Sequence, residues 1–113
     1  MAAPFLELHV LTRRSRYEIV PLLRDAIVSA GGWVTDYREF SNKTVCASFE
    51  IEEVHCQELL SRLQATDCVL GPDMVQALAQ VPCDGKRTCL GTLEVTLLHD
   101  DPDQKTYVPA IPG

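Results

Sequence analysis

Three arginines near the start of the chain could bind an anion. Arg13, Arg14 and Arg16 surround Ser15, and the run from Ser15 to Glu18 has the S-x-x-E form of a capping box, which marks the first turn of a helix. Free amides and the helix dipole favour negative charge at such a turn, so a carboxylate or a phosphate is a physically sensible ligand. The alternative is a solvated loop in which the serine only caps the helix.

Two cysteines flank a predicted turn later in the chain. Cys83 and Cys89 lie on either side of Asp84-Gly85, and a hairpin there could bring the thiols close enough for a disulfide or, with His99, for a soft-metal site. The spacing matches no standard zinc motif, and the remaining ligands are not evident. We therefore predict no metal and no cofactor, and the scatter of the five cysteines suits buried reduced thiols.

Two histidines fall on the first and last predicted strands. His9 and His99 have no nucleophile and no orienting acid beside them, which a hydrolytic constellation needs. We interpret them as surface or interface residues. The sequence therefore predicts no catalytic residue and a protein that is not an enzyme.

Hydrophobic periodicity predicts the elements that position these residues. The predicted order is strand 5–11, helix 16–30, strand 33–40, strand 44–51, helix 52–65 and strand 89–99. Pro21 either kinks the first helix or moves its start later, and the capping box favours the early start. Between residues 66 and 87, Gly71-Pro72 can open a short helix from Asp73 to Gln80.

Each long strand has one apolar face and one mixed face. The apolar faces comprise Leu6, Leu8 and Val10, then Val45, Ala47, Phe49 and Ile51, and finally Leu93, Val95 and Leu97. The opposite faces comprise Phe5, Glu7, His9, Cys46, Ser48, Glu50, Glu94, Thr96 and Leu98. Water or a second subunit could cover that mixed surface.

Length and composition limit the class of protein. The 113 residues suit one domain, which we place at 1–99, followed by an extended tail at 100–113. The formal charge of -6 disfavours nucleic-acid binding. The N-terminus does not resemble a secretory signal, and no run approaches the roughly 20 apolar residues that span a bilayer, so we expect a cytoplasmic protein without membrane contact.

The order of elements, strand-helix-strand-strand-helix-strand, is that of the ferredoxin-like split sandwich. This α+β fold has an antiparallel four-stranded sheet with two helices on one face. We expect a short extra helix or turn before the last strand, because the segment from residue 66 to residue 87 is longer than a simple link needs.

Within this class the first seventy or so residues resemble the ACT domain, a small regulatory module of amino-acid metabolism. The resemblance rests on Leu8-His-Val-Leu-Thr12, the loop Arg13–Arg16, Ser29-Ala-Gly-Gly32, Trp33-Val-Thr-Asp36 and Cys46-Ala-Ser-Phe-Glu50. The family carries an aspartate followed three residues later by a glycine in its ligand loop. Ser15 and Glu18 stand at those positions here, where a glutamate side chain would project into the usual ligand space.

The resemblance implies a non-enzymatic regulatory module that binds an amino acid or another small anion. The implied ligand-binding residues are Arg13, Arg14, Ser15, Arg16, Asp36, Tyr37 and Asn42. The last three could equally serve only as polar residues of a strand and turn. The half-covered sheet leads us to expect a homodimer, in which sheets or sheet edges pair between subunits and the ligand binds at their interface. The alternative is a protein-interaction or assembly module that keeps the fold without a ligand pocket. A weaker third hypothesis is an enzyme or metal carrier that uses Cys83, Cys89 and His99.

Overall fold

The computed structural model describes residues 5–98, so His99 and the predicted tail lie outside the described residues. Five strands and three α-helices follow one another along this part of the chain. They are β1 (Leu6–Thr12), α1 (Arg16–Ser29), β2 (Trp33–Glu39), β3 (Thr44–Glu52), α2 (Cys56–Gln64), β4 (Val69–Leu70), α3 (Pro72–Gln80) and β5 (Thr88–Leu97). A 3-10 turn (Glu53–His55) connects β3 to α2.

One core holds the sheet and the helices together. The apolar faces predicted for β1, β3 and β5 are buried, except for Ala47, which is half-buried. They form a single cluster with the buried side chains of the three helices. The helix members are Ile19, Leu23, Ala26, Ile27, Cys56, Leu59, Leu63, Met74 and Leu78. All three helices therefore pack on the same face of the sheet.

The first helix begins where its capping box predicts. The Glu18 carboxylate accepts a hydrogen bond from the Ser15 amide at 3.3 Å, and Pro21 lies inside the helix without moving its start. The helix ends at a left-handed glycine, Gly31, which has a φ of 105°. A side chain there would also meet the ring of His55, at 2.8 Å from its nearest carbon.

The prediction of four antiparallel strands is wrong. The sheet has five strands in the order β2-β3-β5-β1-β4, and β5 runs parallel to β1. The reason is the predicted extra helix, which is α3 and opens at Gly71-Pro72, together with the short strand β4 that precedes it. The helix α3 returns the chain to the end of the sheet where β3 finishes, and Glu53 N donates there to Arg87 O at 2.8 Å. The strand β5 therefore starts at that end and inserts between β1 and β3.

Two surfaces of the sheet are left open. The strand β2 lies at one edge, and all its residues are exposed except Val34, which is half-buried. The face opposite the helices carries the mixed side chains predicted for it, including the row formed by Arg38, Cys46, Glu94 and His9. The longest helix between residues 5 and 98 has 14 residues, and none there has the length and hydropathy to cross a bilayer.

Candidate binding groove beside the first helix

An apolar groove of about 280 Å³ opens between α1 and the outer strands of the sheet. Its helix wall is formed by Val20, Leu23, Arg24 and Ile27. Its floor and far wall are formed by Val34, Tyr37, Val45, Ala47, Leu93 and Val95. The groove exists because the core buries the apolar faces of β1 and β5, whereas β2 remains exposed beyond the edge of α1.

Small and half-buried residues shape the floor of this groove. Ala47 lies between Tyr37 on β2 and Leu93 on β5 in the register of the sheet. Its methyl group is the smallest side chain among these three residues. Its two neighbours on the same face of β3, Val45 and Phe49, belong to the buried core. The floor is therefore recessed at residue 47 and remains open to water.

The groove carries one charge and one phenol. Arg24 is the only charged residue among the described residues that line it, and its side chain lies at the exposed helix wall. Tyr37 is 39% exposed. Partial burial, and then its hydrogen bond to Glu39, raise the pKa of the Tyr37 hydroxyl, which stays protonated and can donate or accept at neutral pH. The groove thus has mostly apolar walls, with the Arg24 guanidinium at its rim.

A chain of polar contacts extends from Tyr37, which lines the groove. Tyr37 donates its hydroxyl hydrogen to Glu39 Oε2 at 3.1 Å, and Glu39 Oε1 accepts from Arg16 Nη1 at 2.7 Å. Arg16 Nη2 also donates to the Asn42 carbonyl at 3.2 Å. The structure therefore brings together three of the predicted ligand-binding residues, Arg16, Tyr37 and Asn42, and uses them to join α1 to the β2-β3 turn.

The other predicted anion-binding residues point elsewhere. Arg14 Nε donates to Asp67 Oδ1 at 3.0 Å and ties the first loop to the segment after α2, which lowers the pKa of the Asp67 carboxyl. Ser15 caps the helix, and Arg13 is exposed. The arginine cluster is therefore divided, because Asp67 and Glu39 already neutralise two of its three charges.

The predicted pair of Asp36 and Tyr37 is split between the two faces of the sheet. Asp36 pairs with Ser48 on the open face, and its carboxylate accepts from Arg38 Nε at 3.0 Å. That hydrogen bond lowers the pKa of Asp36. Alternation along the strand leaves only Tyr37 beside the groove, so Asp36 cannot contact the same small ligand.

The two cysteines that flank the predicted turn lie in different surroundings. Cys89 is buried beside Cys56, whereas Cys83 is exposed. Burial and then the neighbouring Cys89 raise the pKa of the Cys56 thiol to about 12. His9 Nε2 lies 2.9 Å from Thr96 Oγ1 on the open face. Between residues 5 and 98, no three His, Cys, Asp or Glu side chains lie close enough to hold a metal ion.

Sequence reasoning missed most of the groove. Val20 and Arg24 line it and belong to no motif. Val34 and Ala47 also line it, and they lie in segments that carry the resemblance to the ACT domain without being among the implied ligand-binding residues. The available signal was steric: a single alanine interrupts a run of large apolar residues on one face of β3, which creates a recess unless a helix fills it. Whether a helix fills that recess depends on packing between distant parts of the chain.

No protein-family model, no curated protein and no solved structure matches this chain.

Proposed function

We propose that this protein is a non-enzymatic binding module whose groove takes a small ligand with an apolar body and a carboxylate. The observation that supports the proposal is the recess beside α1, which is apolar except for Arg24 and Tyr37. Ligand sites in proteins are concave and mostly apolar, with a few polar groups that orient the ligand. The volume of about 280 Å³ limits the ligand to a small molecule or to one side chain of a larger one.

The charge distribution favours a carboxylate over a neutral molecule. An apolar body would displace water from Val34 and Ala47, and a carboxylate at the rim could pair with the Arg24 guanidinium. A free amino acid would also require an acceptor for its ammonium group. Glu39, the carboxylate that accepts from Tyr37 of the groove, is already engaged by Arg16 as well. We therefore favour a simple apolar acid over an amino acid, and the regulatory role stays a prediction.

A calorimetric titration with octanoate tests this proposal. We expect saturable binding at a stoichiometry of one, with weaker binding of 1-octanol, which has the same body without the charge. Replacing Arg24 with glutamine should weaken octanoate binding by up to about fivefold, since an exposed ion pair contributes roughly 0–1 kcal/mol. The matched control is Arg13→Gln, which removes an exposed arginine from the loop that the sequence predicts to bind anions.

The outcomes separate the two candidate locations. Equal affinity of the wild type and the Arg24→Gln variant, combined with weaker binding by Arg13→Gln, would place the ligand at the loop. No binding of octanoate, leucine or phenylalanine at millimolar concentration would leave the groove without a small-molecule role.

A second candidate function is a protein-interaction or assembly module. The specific observation in its favour is the exposed edge strand β2, with Trp33 and Phe40 exposed at its two ends. An unprotected edge strand can pair with a strand of another chain. Recovery of a partner at fixed stoichiometry, unaffected by small acids, would favour this candidate.

A further inference from the structure

We infer that the edge strand β2 pairs with the same strand of a second copy of this chain, in a register centred on Tyr37 and selected by Asp36 and Arg38. The pairing does not require a ligand in the groove. It rests on the backbone directions and the charges of one short strand.

The backbone of β2 alternates between its two neighbours. Phe40 N donates to Thr44 O at 2.9 Å, so residue 40 faces β3. Along an antiparallel strand the bonding direction alternates, so Arg38 and Asp36 also turn their amides and carbonyls towards β3. Tyr37 and Glu39 therefore present theirs to the outer edge, where no strand pairs with β2 within residues 5–98.

This alternation allows only a few two-fold registers. In an antiparallel pair of identical strands, the outward residues of one copy must face outward residues of the other. Near the middle of β2, the two-fold axis that relates the two strands can therefore pass through Asp36, Tyr37 or Arg38. We call that residue the centre of the register. The register shift between Val34 and Asp36 restricts regular pairing to the second half of the strand.

Charge distinguishes these three registers. A centre at residue 36 places two aspartates directly opposite each other, and a centre at residue 38 places two arginines opposite each other. Like charges directly opposite each other destabilise a sheet, whereas opposite charges stabilise it. Only the centre at Tyr37 places Asp36 of each copy opposite Arg38 of the other. The hydrogen bond that already joins Asp36 to Arg38 within one copy shows that both side chains lie on the same face.

The same register brings the two grooves together. Tyr37 lines the groove on the helix face of the sheet, and in this register it lies directly opposite Tyr37 of the second copy. Opposed aromatic side chains are a stabilising cross-strand pair. The regular paired segment is short, so we expect an association that depends on protein concentration.

Charge reversal with complementation tests this inference on ligand-free protein by sedimentation velocity. We expect the wild type to form a dimer. Asp36→Arg and Arg38→Asp should each weaken dimerisation by on the order of tenfold to a hundredfold, because each places two like-charged pairs across the interface. An equimolar mixture of the two variants restores both opposite-charge pairs and should dimerise again. The control Glu7→Arg makes a similar charge reversal on the open face of β1, three strands away.

Each alternative outcome overturns the inference. A wild type that stays monomeric at every concentration excludes the pairing. If Asp36→Arg alone leaves dimerisation unchanged, the strand is centred on Arg38 or another surface pairs. If Arg38→Asp alone leaves dimerisation unchanged, the strand pair is centred on Asp36 or the dimer forms through another surface. A mixture that stays monomeric also contradicts the register. Thermal unfolding of each variant checks that loss of the dimer does not reflect loss of the fold.

Discussion

Filling the recess at residue 47 should stabilise the protein, which is the opposite of what a larger side chain does in a closed core. Ala47 is half-buried and faces the groove, and the volume of about 280 Å³ can accept the three extra carbons of a leucine. In a tightly packed interior the same change forces neighbours apart and costs roughly 1–3 kcal/mol. The sign of the effect therefore reports whether the recess is open.

The magnitude of this stabilisation follows from the buried carbons. Three carbons at about 0.8 kcal/mol each give an upper bound of about 2.4 kcal/mol. The open side of the groove leaves part of the side chain in water, and ordering a leucine costs about 0.5–1 kcal/mol. We expect Ala47→Leu to raise the free energy of unfolding by about 1 kcal/mol, which corresponds to a Tm increase of about 4–8 °C in a domain of this size.

Urea and thermal unfolding of Ala47→Leu and Ser48→Leu measure this effect. Ser48 is the adjacent residue, is also half-buried, and faces the opposite side of the sheet, where the sheet is not covered by helices. We expect no comparable gain from Ser48→Leu. A lower Tm for Ala47→Leu would refute the reasoning, because it would mean that side chains already occupy the space above residue 47.

Three other predictions concern the frame around the groove. Gly31→Ala should destabilise the protein by about 1 kcal/mol or more in urea unfolding, because an alanine is strained at a φ of 105°; an unchanged midpoint would contradict this. Hydrogen bonds from Arg87 lower the pKa of Glu53 from its ordinary 4.5. The stability that Glu53 contributes is therefore present above pH 4.5 and is lost as the pH falls through its lowered pKa. Glu53→Gln should accordingly show a shallower loss of stability under acid than the wild type, and equal slopes would disprove the contribution. Iodoacetamide at pH 8 should label the exposed Cys83 before the buried Cys56, as peptide mass spectrometry can establish; equal labelling of native protein would contradict the burial.

Features that depend on neighbouring residues were predictable from the sequence. The start of α1 follows from Ser15 and Glu18, which satisfy the first turn of the helix within four residues. The buried faces of β1, β3 and β5 follow from alternation alone. The start of the short helix α3 follows from Pro72, because proline is favoured in the first turn of a helix. These patterns depend on residues that lie within a few positions of each other, and tertiary packing did not override them.

Features that depend on distant residues were not predictable in the same way. The position of β5 is set by the return of the chain through α3, and periodicity carries no information about which strands pair. The charges of Arg14 and Arg16 are neutralised by Asp67 and Glu39, which lie 53 and 23 residues further along the chain. The arginines that are close together in the sequence therefore do not form a group of unpaired positive charges in the fold.

The most direct test of the groove as a ligand site is an NMR measurement on methyl-labelled protein with octanoate. We predict intermolecular nuclear Overhauser effects between octanoate protons and the methyl groups of Val34 and Ala47, and their loss in the Ala47→Leu variant. Contacts found only with Leu90 or Leu98 on the other side of the sheet, or none in the presence of saturating octanoate, would contradict the account.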